Sequence, residues 1–234
     1  MNLKKATRSK TIADIRLYKS AVENADGNSL PGEFADRTLN AKLKRIVMKL
    51  REGGFSLGEF DHLYINFTTF PIDNEIAAAK RSPDKYHLWY RFYDVRIRDD
   101  LFSRLSHPES ADEVLELVKT VLVRNFVTDG FDGARISSCF DHAMEQGESM
   151  LMKYKETTAG QRTAVIYLKY LDSCQFLPLL RVFDNASTLL FETDLPKMDD
   201  LNRLGTVQVT RKKVTVKPRK NAFTETIPPL SFAF

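Results

Sequence analysis

The segment Asp61 to Phe70, DHLYINFTTF, constrains the fold more tightly than any other stretch of the chain. Leu63, Ile65 and Phe67 alternate strictly with His62, Tyr64, Asn66 and Thr68. Period-two alternation among β-branched and aromatic residues is the pattern of a strand with one buried face. The second face is not the lysine-and-glutamate surface of an ordinary solvated strand. Imidazole, phenol and amide are directional hydrogen-bonding groups, suited to recognition.

Other elements are read around that strand. From Thr11 to Glu23, Ile12, Ile15, Tyr18 and Val22 recur at helical spacing, which predicts a helix before the polar connection Ala25 to Gly32. A second helix is capped by Asp36 or Thr38, carries Leu39, Leu43, Ile46, Val47 and Leu50 as its stripe, and ends at Gly53-Gly54, with Gly53 in left-handed conformation. Tyr86 to Ile97 reads as a strand covered on both faces and antiparallel to the first, after a turn at Ser82-Pro83-Asp84. Ser110 and Glu113 have the spacing of a capping box for an apolar helix through Val114, Leu117, Val118, Val121 and Leu122. Ser138 is expected to open a fourth helix that aligns Phe140, Met144, Gly147, Leu151 and Tyr154. Strands follow at 164–171, 175–183, 189–192 and 206–217, and the tail to Phe234 is read as irregular. The order lacks the βαβ alternation of a doubly wound sheet. It predicts an α+β fold, a mainly antiparallel sheet with about four helices packed against it. The chain is read as a single domain, 1–234, with a subdivision near 160 as the alternative.

With 234 residues, 43% hydrophobic and 28% charged, the chain can bury a substantial core and is not disordered. A formal charge of +4 is only mildly basic for a dedicated nucleic-acid binder. The basic start, Met1 to Lys10, is followed by no apolar run, and no stretch approaches the roughly 20 apolar residues of a membrane span. The two cysteines, Cys139 and Cys174, predict reduced thiols rather than a disulfide framework. The expected location is the cytoplasm, without a membrane partner.

Catalytic and cofactor chemistry finds little support. Gly53-Gly54 and Gly130 to Gly133 lack the glycine spacing and the lysine of a phosphate loop. The histidines at 62, 87, 107 and 142 are dispersed. Cys139 and His142 at i, i+3 supply two ligands where a tetrahedral metal site needs four. No Gly-x-Ser-x-Gly elbow is present, and neither cysteine has a local signature of a nucleophile. The expectation is therefore no catalytic residues, no metal and no cofactor. One hydrolase alternative remains: were the two aromatic-rich strands a hairpin, Asp61 and His62 would meet Asp99 and Asp100.

Two binding readings are stronger. Arg211, Lys212, Lys213 and Lys217 lie in an acid-free stretch with Arg203, Arg219 and Lys220, and arginine alternates with rings at Trp89 to Tyr93. Charge with stacking faces holds single-stranded nucleic acid; the bland account is that these cations guard an edge strand. The leading reading is a protein partner, held by His62, Tyr64, Asn66, Trp89, Arg91 and Tyr93. Tyr, Trp and Arg dominate interface energetics.

The segment Phe60 to Phe70, followed by Trp89-Tyr-Arg-Phe-Tyr-Asp94, resembles bacterial immunity proteins of polymorphic toxin systems. That resemblance covers about a quarter of the chain and transfers no functional residue. It implies a small cytoplasmic antidote that binds a cognate toxin domain and occludes its active site.

Overall fold

A computed structural model describes residues 9–21, 32–33, 36–79, 88–221 and 223–234. The expectations for Met1 to Arg8, the connection before Gly32, the turn at 82–84, and Tyr86 and His87 fall outside these residues. The fold is α+β with about four helices, and antiparallel pairings predominate across its sheets. The chain forms two compact units, Met1–Glu145 and Gln146–Phe234.

In the N-terminal unit, β1 (Asp14–Lys19), β2 (Gly32–Glu33), α1 (Arg37–Glu52), β3 (His62–Thr68), β4 (Ile76–Ala78) and β5 (Tyr90–Arg96) come first. They are followed by α2 (Asp99–Ser103), α3 (Ala111–Phe126) and α4 (Gly133–Gln146). The sheet has the order β2-β1-β3-β5-β4. The first predicted helix is thus strand β1. Its short run satisfies both periods, and it is the parallel pairing of Ile15 with Leu63 and Leu17 with Ile65 that selects period two. Strands β3 and β5 are also parallel, not antiparallel as expected. The antiparallel neighbour of β5 is β4, inside the connection that would otherwise have been a plain hairpin loop. Ile15, Leu17, Leu63, Ile65, Phe67 and Val95 are all buried. Phe126 at the end of α3 packs its ring against Phe60 at 5.9 Å and Tyr93 at 5.4 Å, which places α3 over that apolar face.

Helix α1 follows the expectation closely. Asp36 accepts from the Leu39 amide at 3.1 Å, and the whole predicted stripe is buried. At its C-terminus Gly53 is right-handed (φ −72°), and Gly54 takes the left-handed conformation (φ 82°). The requirement for glycine at 53 is instead one of space: a Cβ there would sit 3.0 Å from the Phe131 ring, which is itself buried against Phe55. Gly53→Ala is expected to cost about 1–2 kcal/mol by overpacking, read from the shift of a urea unfolding curve.

The capping box does not form. A 3-10 turn, Pro108–Ser110, leads into α3 and leaves Ser110 in helical conformation, where its hydroxyl cannot fold back over the first turn. Ser110 instead donates to the Arg104 carbonyl at 2.9 Å and accepts from the Arg104 guanidinium at 3.0 Å. Glu113 binds the same guanidinium at 2.7 Å. Helix α4 starts at Gly133, earlier than Ser138, because the Asp132 carboxylate accepts from the Arg135 amide at 2.8 Å. It ends before Leu151 and Tyr154, and Tyr154 belongs to a strand.

The C-terminal unit is antiparallel. One sheet has the order β6 (Met152–Ala159), β7 (Arg162–Tyr170), β8 (Phe176–Asp184) and β9 (Leu189–Asp194). The turn expected at Asp184-Asn185 is made by the Asp184 carboxylate, which accepts from the amides of Ala186 and Thr188. The single strand predicted at 206–217 is a hairpin, β10 (Thr206–Val209) and β11 (Lys213–Lys217). The tail supplies β12 (Leu230–Ala233), so the second sheet reads β10-β11-β12. Phe191 of β9 meets Phe232 and Phe234 at 5.8 and 5.9 Å, joining the two sheets. Lys155 of β6 donates to the carbonyls of Leu204 and Gly205 just before β10.

Candidate functional site

Strand register decides which side chains share a surface. Cα partners Asp14–His62, Arg16–Tyr64 and Tyr18–Asn66 on one side of β3, and His62–Tyr90, Tyr64–Phe92 and Asn66–Asp94 on the other, put these residues on one face. Arg91 and Tyr93 pair with Leu63 and Ile65 and therefore lie on the opposite, helix-covered face. The expected grouping of Arg91 and Tyr93 with His62, Tyr64 and Asn66 is thus corrected. Arg91 is exposed with its guanidinium 6.0 Å from the Phe60 ring, and half-buried Tyr93 packs on Phe126. Tyr18, Tyr90, Phe92 and Arg16 take their place.

Tyr64 is the centre of this face. Its ring stacks on Tyr90 at 4.8 Å and meets Phe92 at 5.3 Å and Tyr18 at 5.5 Å. Arg16 lies 5.6 Å from the ring centroid and is steered by its hydrogen bond to Asp14 at 3.1 Å. Asp14 also accepts from Lys44 of α1 at 3.2 Å. Partial burial raises the Tyr64 pKa, and the Arg16 charge opposes that shift, so the phenol stays a neutral donor at physiological pH. Such a cluster is rigid: few rotamers remain to be ordered when another surface meets it.

The N-terminal ends of β3 and β5 add a second component. The amides of Asp61 and His62 both donate to the Trp89 carbonyl, at 2.9 and 3.1 Å. His62 Nδ1 lies 2.6 Å from the Asp61 carboxylate, which orients the imidazole. Trp89 is 39% exposed and Leu88 is 69% exposed, in the turn that leads into Tyr90. Towards the other end of the face the environment closes. Asn66 and Asp94 are buried and joined by a 2.8 Å hydrogen bond from the amide to the carboxylate. Asn66 is therefore a structural group inside the sheet face rather than a contact offered outward.

The hydrolase arrangement is not assembled. Because β3 and β5 run parallel, Asp61 stands before the start of one and Asp99 beyond the end of the other. Seven residues of strand separate them by on the order of 20 Å. Asp100 is held by Arg98 in a two-point contact at 3.0 and 3.2 Å. Among the described residues no three His, Cys, Asp or Glu side chains converge as metal ligands. Cys139 is buried in α4, which raises its pKa, and Cys174 lies in a turn with φ 61° rather than in a strand.

The basic residues occupy the C-terminal unit. Arg211 and Lys212 form the exposed tip of the β10–β11 hairpin, and Lys213 and Lys217 point outward from β11. This strand is central in its sheet, so edge protection does not account for its lysines. No helix among the described residues is long and apolar enough to cross a membrane. No protein-family model, curated protein or solved structure matches the chain.

Proposed function

We propose that this chain is a protein-binding module without chemistry of its own, of the kind an immunity protein represents, and that it neutralises a cognate toxin domain by occluding it. One observation carries the reading: a rigid stack of Tyr64 on Tyr90 is flanked by Arg16 and His62, and Leu88 and Trp89, which directly precede Tyr90 in the chain, expose apolar surface. Interfaces draw most of their energy from such clusters of Trp, Tyr and Arg, with an apolar centre and hydrogen-bonding tips at the rim. The partner this surface fits offers a shallow apolar recess for Trp89 and Leu88 and a hydrogen-bond acceptor for the Tyr64 hydroxyl.

The test is calorimetric titration of the chain with a purified toxin domain nominated by the neighbourhood of its gene. Tyr64→Ala and Trp89→Ala are each expected to weaken binding by about 2 kcal/mol, roughly a thirtyfold rise in Kd. Glu116→Ala, whose side chain is 65% exposed on α3, serves as the neutral comparison. Unchanged affinity in both aromatic variants, with native circular dichroism, removes this face from the interface. Absence of any binding by the unmodified chain removes the reading itself.

A further inference from the structure

Two hairpin tips of the C-terminal unit meet at a group of cations that the protein-binding reading leaves unused. The β6–β7 turn is tight: Ala159 pairs with Arg162, and Gly160 takes φ 58°, which a two-residue hairpin turn requires at its first central position. The β10–β11 turn is closed by Thr210, whose amide and hydroxyl both donate to the Lys213 carbonyl, at 2.8 and 3.1 Å. A pocket of about 390 Å³ is lined by Ala159, Gly160, Gln161, Arg162 and Arg211. Two arginines and no acidic residue therefore line it.

Arg162 is under-satisfied. One terminal nitrogen donates to the Gln161 carbonyl at 3.1 Å, but Nε is buried and has no acceptor. Asp184 is its Cα partner on β8, and one oxygen of that carboxylate, Oδ1, already accepts from the amides of Ala186 and Thr188. A buried charged donor without an acceptor is unfavourable, and two like charges lining one pocket add to the cost. A tetrahedral oxyanion removes both penalties, because the guanidinium fork matches the oxygens of a phosphate.

The cations continue past the pocket. On the outward face of the second sheet, Lys213, Thr215 and Lys217 of β11 are flanked by Thr206 and Gln208 of β10 and Ser231 of β12. Neither a carboxylate nor a large apolar group interrupts them. From Lys213 to Lys217 the strand spans about 13 Å, more than one small phosphate ester can bridge. Lys217 then joins Arg219 and Lys220 in lining a groove of about 560 Å³, where three cations face one carboxylate, Glu225. Phe223, which is 85% exposed, follows directly. An exposed ring at the end of a cationic track is a platform on which a base can stack.

We infer that the C-terminal unit binds single-stranded nucleic acid, with one backbone phosphate seated between Arg162 and Arg211, the next phosphates passing over Lys213 and Lys217, and a base resting on Phe223. This surface shares no residue with the Tyr64 face, so either assignment can fail without the other.

The experiment is fluorescence anisotropy of the full chain with a labelled mixed-sequence single strand of about 12 nucleotides, titrated between about 50 and 200 mM salt. The double variant Arg162→Gln, Arg211→Gln is expected to weaken binding by on the order of tenfold or more. It should also flatten the slope of log affinity against log salt by about one. Phe223→Ala should weaken binding at least fivefold and leave that slope unchanged. Lys197→Gln, which removes an exposed charge away from the track, should stay within twofold of the parent. The inference is overturned if the parent fails to bind at low salt, or if the double variant binds like the parent while folded by circular dichroism. It is also overturned if Lys197→Gln loses as much as the double variant. Competition by inorganic phosphate at the concentration of the oligonucleotide would reassign the pocket to a small anion and equally reject a nucleic-acid track.

Discussion

Phe67→Ala is expected to lower the unfolding free energy of the N-terminal unit by about 4 kcal/mol. Phe67 is fully buried near the C-terminal end of β3, the central strand of the five-stranded sheet, with Lys19 of β1 and Val95 of β5 as its Cα partners. Removing the ring forfeits the transfer free energy of a large side chain. It also leaves a cavity that strands paired on both sides cannot collapse to fill. The measurement is convenient because the chain has one tryptophan, Trp89, and it lies in this unit. Urea unfolding followed by tryptophan fluorescence therefore reports on the N-terminal unit alone. A loss below about 1.5 kcal/mol would mean that the apolar face of β3 is not sealed as described.

Asn66→Leu is the second large effect, at about 3 kcal/mol. The Asn66 amide donates to Asp94 at 2.8 Å, and both residues are buried. Leucine fills a similar volume, so the loss is not one of packing. It comes from withdrawing a donor from a carboxylate that has been taken out of water, the costly half of breaking a buried polar contact. Replacing both residues, Asn66→Leu with Asp94→Leu, should recover part of the loss, since no buried carboxylate is then left one donor short. The same fluorescence assay reads both variants. If the double variant is less stable than the single one by a further 2 kcal/mol or more, Asp94 is stabilised chiefly by neighbours other than Asn66.

These effects bear on how much of the site could be read from residues alone. The alternation at 61–70 predicted a strand with Leu63, Ile65 and Phe67 inward, and that is how β3 lies. The recognition face on its other side was only partly legible. His62 and Tyr64 belong to it, Asn66 is closed within it, and Arg91 and Tyr93 lie behind it. The error has one cause: a shift of one residue in register transfers every side chain of a strand to the other face. Nothing within Trp89 to Tyr93 states which neighbour the strand will have, or in which sense. Tyr18 was missed because β1 was read at period 3.6, where Ile12, Ile15 and Tyr18 align equally well.

In the C-terminal unit the strands at 164–171, 175–183 and 189–192 were visible from their own periodicity and turn residues, and the structure places β7, β8 and β9 there. The hairpin within 206–217 was not, because Arg211 and Lys212 carry no turn signature such as Asn-Gly. The pairing of Arg162 with Arg211 in one pocket was beyond reach for a simpler reason: these residues lie 49 positions apart and on different sheets.

Local composition and periodicity settle which segments become strands or helices and which side of each is apolar, because burial of that side depends on no particular neighbour. Strand direction, register and the meeting of distant turns depend on long-range contacts, whose energies appear only once the chain has closed on itself. For this protein that division runs through the site: the recognition chemistry of Tyr64 and His62 is written locally, and the company they keep, Tyr18, Tyr90 and Arg16, is assigned by parallel pairing on both sides of β3.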